Sequence, residues 1–293
     1  MKILVTGGSG FIGRNIRESY LARKYDISAP AHKDLDLLDE DQLRSFFRQD
    51  RIDVVIHAAA KPFHRNARQP GNVLYENTRM FFNLARNSDY FRKMLVIGSG
   101  AIYDMRYYQH KMKEEHFDEH LPADELGLCK YVCGKYIQHV DKIIDLRVFG
   151  IFGKYEDYAI RFISNMICKT LFDLPMTMKQ NRRFDYLYID DLMPILDYFI
   201  QNQSRHKAYN ATPDESVELF ALAQKIRDLS GKDLPIIIEK EGMGTEYSGD
   251  NARLKKEVAG LSFTPLDSAI RQLYGWYVDN RALVNREELL VDK

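Results

Sequence analysis

The sequence predicts an α/β chain with a doubly wound parallel sheet in its first half and a smaller, mostly helical lobe in its second. Three observations carry this expectation. The β-rich run Lys2–Thr6 meets a glycine-rich turn that opens an amphipathic helix; residues 53–58 form an apolar run without alternation; and strand-like runs alternate with helix-like ones to about residue 150. A strand without alternation is buried on both faces, which is the condition inside a parallel sheet.

The elements follow in order. After the strand at 2–6 a helix is expected over 12–23, a strand over 25–29, a helix over 39–48 and the buried strand at 53–58. A helix over 72–88, a strand over 93–97, a helix over 124–140 and a strand over 143–149 complete the first domain, 1–150. Beyond it, apolar periodicity predicts helices at 158–170, 189–201, 217–230 and 265–280, placing 151–293 in a second lobe with some segments returning to the first. The polar stretch 107–120, rich in lysine, glutamate and histidine, reads as an exposed loop over the site.

Composition excludes several classes. Lysine plus arginine total 42, as do aspartate plus glutamate, so there is no net field to hold a nucleic acid or an anionic membrane. The apolar start lacks the basic flank of a signal peptide, no run is long enough to span a bilayer, and three cysteines suit a reducing cytoplasm. No metal is expected. Cys129 and Cys133 share a helix face but lack a second pair, and His110, His116 and His120 match no ligand spacing.

Gly7, Gly10 and Gly13 sit where a strand turns into a helix, the context of a dinucleotide-binding (Rossmann) turn. Gly7 permits the tight turn, Gly10 lets the backbone approach a pyrophosphate, and Gly13 allows close packing; the helix N-terminus attracts the phosphates. At the end of the second strand, Ala29–Pro30–Ala31 offers no carboxylate for a ribose 2′-hydroxyl. His32, Lys33 and the nearby Arg14 favour NADP(H) over NAD(H), which stays open, with Asp36 placed at the adenine edge.

Tyr131 and Lys135 lie four apart, on one face of the helix at 124–140. An ammonium beside a phenol lowers the phenol's pKa toward a working range for proton transfer. Ser99 stands just past the strand at 93–97, at the sheet edge where α/β proteins bind ligands, suited to hydrogen-bonding a substrate carbonyl.

On these residues and on VTGGSGFIG, DVVIHAAA, VIGSGAIYD, YVCGK, LRVFGIFG, RRFDYLYIDDL, YNATPDESVEL and YSGDNARL, the chain resembles the extended short-chain dehydrogenase/reductases, also called the NAD-dependent epimerase/dehydratase family. The stretch 33–61 is most similar to its GDP-L-fucose synthase-like nucleotide-sugar reductases. The resemblance implies a catalytic set of Ser99, Tyr131 and Lys135. It implies a cofactor site of Gly7, Gly10, Phe11, Ile12, Gly13, His32, Lys33, Asp36, Leu37, Ala58, Ala59, Ala60, Asn77 and Val148, shared with Tyr131 and Lys135. It also implies substrate contacts at Ser99, Gly100, Ala101 and Arg183, the last on a diphosphate that Arg182 or Lys179 could equally hold, and a homodimer paired through the helices at 72–88 and 124–140.

Departures from the family pattern narrow the chemistry. Where the dehydratases carry an Asp-Glu pair this chain has Gly100 and Ala101, and Ala101 also stands where the fucose synthases have a cysteine. The segment 153–158 supplies no histidine, and Gly150 replaces a substrate-contacting asparagine. The expectation is an NADPH-dependent 4-ketoreductase of a 4-keto-6-deoxy nucleotide sugar without epimerisation. A 4-epimerase with tightly bound NAD and a non-catalytic NADP-binding regulator are the alternatives.

Overall fold

The computed structural model describes residues 1–61 and 72–291. Its first half runs β1 (Lys2–Thr6), α1 (Phe11–Glu18), α2 (Leu21–Lys24), β2 (Asp26–Ser28), α3 (Glu40–Gln49), β3 (Val54–His57), α4 (Val73–Ala85), β4 (Lys93–Ser99), α5 (Glu125–Ile137) and β5 (Ile143–Val148). Helix starts follow side-chain chemistry: Asp39, Asn72 and Asp124 each accept hydrogen bonds from N–H groups of the turn they open. The helix expected over 12–23 is two pieces. Ser19 donates to the Ile16 carbonyl and accepts from the Leu21 N–H, a local turn that breaks the ladder.

The second half runs β6 (Ile151–Phe152), α6 (Phe162–Leu171), β7 (Met176–Asn181), β8 (Arg183–Asp185), β9 (Leu187–Tyr188), α7 (Leu192–Gln201), β10 (Ala208–Ala211), β11 (Ser216–Glu218), α8 (Leu219–Ser230), β12 (Ile236–Met243), α9 (Ala252–Glu257), α10 (Leu266–Asp279) and α11 (Arg286–Leu289). Its short strands β6 to β9, β11 and β12 pair as three two-stranded ribbons, an addition to the helices that periodicity predicts.

One six-stranded parallel sheet, in the order β10-β5-β4-β3-β1-β2, organises the molecule. Ile3, Val5, Ile56, Leu95 and Leu146 pack under α1, α7 and α9 on one face. Leu4, Val55, Met94 and Ile143 pack against α3, α4 and α5 on the other. Burial on both faces explains why these strands do not alternate. A separate core joins Phe152, α6, α8, α10 and α11. The sheet's outer strand β10 comes from the second half of the chain and pairs with β5. Among the described residues no helix is long and apolar enough to cross a membrane.

The stretch 107–120 is not the exposed loop its polarity suggests. Met112, Glu114 and Phe117 are buried; Met112 bridges to Gly249, and Asn210 on β10 donates to the Met112 carbonyl at 2.9 Å while its own N–H meets Glu114 at 2.8 Å. Polar residues enter this core because each finds a partner.

Candidate active site

The cleft lies at the carboxyl ends of β1 and β3, where the sheet order reverses direction. Gly7 turns the chain at φ +70°, and an added Cβ there would stand 2.7 Å from Ala59 Cα. At Gly13 a Cβ would come within 2.2 Å of the Gly7 carbonyl oxygen, so this glycine brings α1 down onto the turn itself. Gly10 donates to the Gly7 carbonyl at 2.9 Å and begins α1 with no side-chain cap, which leaves the first-turn N–H groups to an anion. Beneath the turn Thr6 Oγ1 meets His57 Nδ1 at 2.8 Å and accepts from the Ala59 N–H at 3.3 Å. Burial pushes His57 down to about 3, so it is neutral.

Between the glycine turn and the loop after β3 lies a cavity of about 360 Å³, lined by Gly7, Gly10, His32, Asp36, Leu37, Ala58, Ala59 and Ala60 among others. A cleft lined in part by backbone, beside uncapped N–H groups, fits a dinucleotide phosphate and its adenosine. Other predicted cofactor residues stand nearby in supporting positions. Asn77 spends its amide on the Lys61 backbone, at 2.8 Å and 3.2 Å, holding the loop rather than facing the cavity. Phe11 and Ile12 pack into the core of the sheet, and Val148 is buried opposite Ser99.

Two predicted cations are displaced. Arg14 stacks 3.6 Å from the Tyr155 ring and lies 3.9 Å from Glu18, turned toward the second half of the chain. Lys33 is exposed outside the cavity lining; His32 is in it, 3.7 Å from Asp36. Arg17, which sequence reasoning passed over, donates to the Gly8 carbonyl at 3.2 Å.

At the reacting end Ser99 is the last residue of β4 rather than one beyond it, and its Oγ accepts from the Ala101 N–H at 3.1 Å. The turn 99–101 rests on α5: an added Cβ on Gly127 would lie 2.6 Å from the Ala101 carbonyl. This contact brings Ser99 beside the helix that carries Tyr131 and Lys135. Asp118, held at φ +79°, accepts from both the Tyr131 hydroxyl and, at 2.6 Å, the Lys135 ammonium. The expected direction of tuning is therefore reversed. The hydrogen bond to Asp118 raises Tyr131 above the usual phenol range, and Lys135 opposes it only weakly. Asp118 was missed because a left-handed aspartate in a polar stretch leaves no periodic signal.

Tyr247 also went without a role. Its hydroxyl would stand 2.7 Å from a Cβ on Gly100, its ring stacks on Tyr108 at 5.0 Å, and the Tyr108 hydroxyl donates to the Gly100 carbonyl. Burial raises both phenols. Asp185, fully buried, accepts from the Thr212 hydroxyl, from Gly249 N at 2.7 Å and from Gly150 N at 3.2 Å; burial still pushes it up to about 7. Arg183 is committed to β11, with Nε on Ser216 Oγ at 3.0 Å and Nη2 on the Ser216 carbonyl. His110 and His116 meet Glu246 and Glu119, and His120 stacks on Tyr107. Cys129 and Cys133 are both buried on α5, where desolvation raises each thiol.

The family model described as the NAD dependent epimerase/dehydratase family matches residues 3–212. The chain belongs to this family. Among curated relatives, GDP-L-colitose synthase of Yersinia pseudotuberculosis is 25% identical over 224 residues, covering 69% of this chain and 73% of that protein. Two solved structures share the family fold at 18% identity. GDP-mannoheptose C4 reductase from Campylobacter jejuni, with NADP bound, superposes with a TM-score of 0.81 over 94% of this chain and 98% of that one. UDP-glucose 4-epimerase from Thermotoga maritima, with UDP-glucose, gives 0.82 over 96% and 100%.

Proposed function

We propose that the chain reduces the 4-keto group of a nucleotide-linked 4-keto-6-deoxy sugar with NADPH, and does not epimerise it. The observation that carries this reading is geometric: Asp118 accepts from both Tyr131 and Lys135 on α5, the helix against which the Ser99 turn packs, and the Tyr131 phenol bears a proton to give. Reduction of a ketone requires an acid at its oxygen, whereas oxidation of a hydroxyl requires the phenolate. The cofactor, when bound, supplies the hydride.

The chain's own residues do the rest. Gly7, Gly10 and Gly13 hold the pyrophosphate against the start of α1, with His32, Asp36, Leu37 and Ala58 to Ala60 around the adenosine. Ser99 orients the carbonyl, Tyr131 gives it a proton, and Lys135 leaves Asp118 for the nicotinamide ribose. Among the described residues no base stands beside Gly100 to remove a proton from carbon. The side chains against Gly100 are Phe149 and Tyr247, and burial keeps Tyr247 protonated. For the substrate diphosphate, Arg183 is largely spent on Ser216. Arg161, without a carboxylate partner among the described residues and close enough to lower Tyr186 and Tyr247, is the better-placed cation. Exposed Tyr75 on α4 and Tyr136 on α5 support pairing of two copies through those helices.

NADPH absorbance is expected to fall when a 4-keto-6-deoxy nucleotide sugar is added. No consumption with GDP, dTDP, CDP and UDP sugars alike would remove the proposal. One observation favours the alternative, a 4-epimerase retaining NAD: the Asp36 carboxylate lines the adenosine cavity. That enzyme would interconvert 4-hydroxy sugars without net cofactor use.

A further inference from the structure

We infer that Arg17 is the side chain that selects a 2′-phosphorylated dinucleotide over its unphosphorylated counterpart. The inference rests on the reading that a nicotinamide dinucleotide lies along the glycine turn. A nucleotide held there presents its adenosine ribose where the turn after the first strand meets the end of the second. In this chain that meeting point is marked by Gly8: an added Cβ would stand 2.7 Å from the Ala29 side chain and 3.5 Å from Arg17 Cδ. Arg17 therefore lies across the junction of the two strand ends, with its guanidinium over Gly8.

The other cations at this end are engaged or aimed elsewhere. Arg14 covers Tyr155 and Lys61 pairs with Glu76 at 3.2 Å; Arg17 and Lys33 both stand outside the cavity lining, and of the two it is Arg17 that is fixed at the turn, by its bond to the Gly8 carbonyl. Among the described residues no carboxylate pairs with Arg17, whose one fixed bond is to the Gly8 carbonyl. A guanidinium has five N–H donors in a planar fork, so that bond leaves most of them for a phosphate, and it pre-orients the group at little further entropic cost. Ala29, Pro30 and Ala31 place no acid against it. The cavity's carboxylate, Asp36, accepts from the Leu38 N–H at 2.9 Å and lies 3.7 Å from His32 through the same oxygen. Among the described residues its second oxygen has no partner and can meet a ribose hydroxyl while Arg17 meets the phosphate.

Equilibrium binding of NADPH, NADH and 2′,5′-ADP to the intact chain, followed by calorimetry or cofactor fluorescence, tests this without turnover. For Arg17→Ala, NADPH and 2′,5′-ADP are expected to weaken roughly 10- to 100-fold with NADH unchanged, as for loss of a charge-assisted hydrogen bond. Arg17→Lys should recover part of the loss, and Arg14→Ala should leave all three ligands unaffected. If the unaltered chain binds NADH as tightly as NADPH, the NADPH reading itself fails. If it prefers NADPH and Arg17→Ala keeps that preference, or loses both cofactors equally, the assignment of Arg17 fails while the NADPH reading stands.

Discussion

At the glycine end of the cleft, function is built from backbone and from neighbours in sequence. Gly7 to Gly13 supply the turn, the close contact and the uncapped N–H groups within one strand-turn-helix unit. At the tyrosine end the parts are side chains delivered from distant positions: Ser99 from β4, Asp118 from the pinned stretch before α5, Tyr131 and Lys135 from α5 and Tyr247 from the second half. The first end works by leaving space and donors for a ligand. On the proposed reduction, the second end would act through the Tyr131 hydroxyl, whose pKa the hydrogen bond to Asp118 raises. Mutations should accordingly act on binding and fold at one end and on proton transfer at the other.

The strongest test of that division is Tyr131→Phe, which should lower kcat by roughly 10²- to 10⁴-fold while leaving the NADPH dissociation constant in place. Loss of cofactor binding in that variant would join the two ends. Gly13→Ala should do the reverse, because its Cβ meets three backbone atoms of Gly7 and Gly8 within 3 Å. The expected cost is about 1–3 kcal/mol of stability, with weakened dinucleotide binding; a chemical denaturation midpoint equal to that of the unaltered chain would contradict the tight packing.

A smaller effect separates the ends by pH. His57, under the glycine turn, is neutral when folded and titrates at about 3. It therefore adds stability above its unfolded pKa near 6.5 that drains away as pH falls toward 3. Asp185, at the end of β8, has its pKa raised to about 7, so its contribution is complete below about 4 and is lost as pH rises through 7. Each slope is at most about 1.4 kcal/mol per pH unit, and between pH 4 and 6.5 they oppose one another. Asp185→Asn should remove one of them, so that urea midpoints fall more steeply with acid than in the unaltered chain. Parallel curves would show that Asp185 keeps an ordinary pKa. Smallest is Asp118→Asn: without the carboxylate that holds its proton, Tyr131 should ionise more readily, moving the alkaline limb of the pH-rate profile for reduction to lower pH. An unmoved limb would mean that Asp118 does not face Tyr131 during turnover.

How much of this was legible in the sequence follows the same division. The glycine turn, the order of strands and helices through residue 150 and the pairing of Tyr131 with Lys135 on one face are local or periodic, and a pattern shows them. The sheet's sixth strand is not local, since β10 lies some sixty residues beyond the β5 strand it joins. Arg14 and Arg17 have the same chemistry three positions apart on α1, and only the packing of that helix decides which one reaches Gly8. Asp118 requires a positive φ and a partner thirteen residues away, neither of which leaves a composition signal. The polar stretch around it was misread because its buried members, Met112, Glu114 and Phe117, are too few to make a period.

The placement of β10 has a consequence for how the protein is made. While the ribosome is still reading the residues after β5, that strand is the open edge of a five-stranded sheet, and the interior Arg147, which bonds Asp145 and Tyr103, lacks the Asn210 that completes its network. Only when residues 208–211 emerge can Asn210 also seize the Met112 carbonyl, anchoring the stretch that carries Asp118. The glycine turn is thus within reach of the nascent amino-terminal half, whereas the stretch that carries Asp118 is anchored only once residues 208–211 have been made.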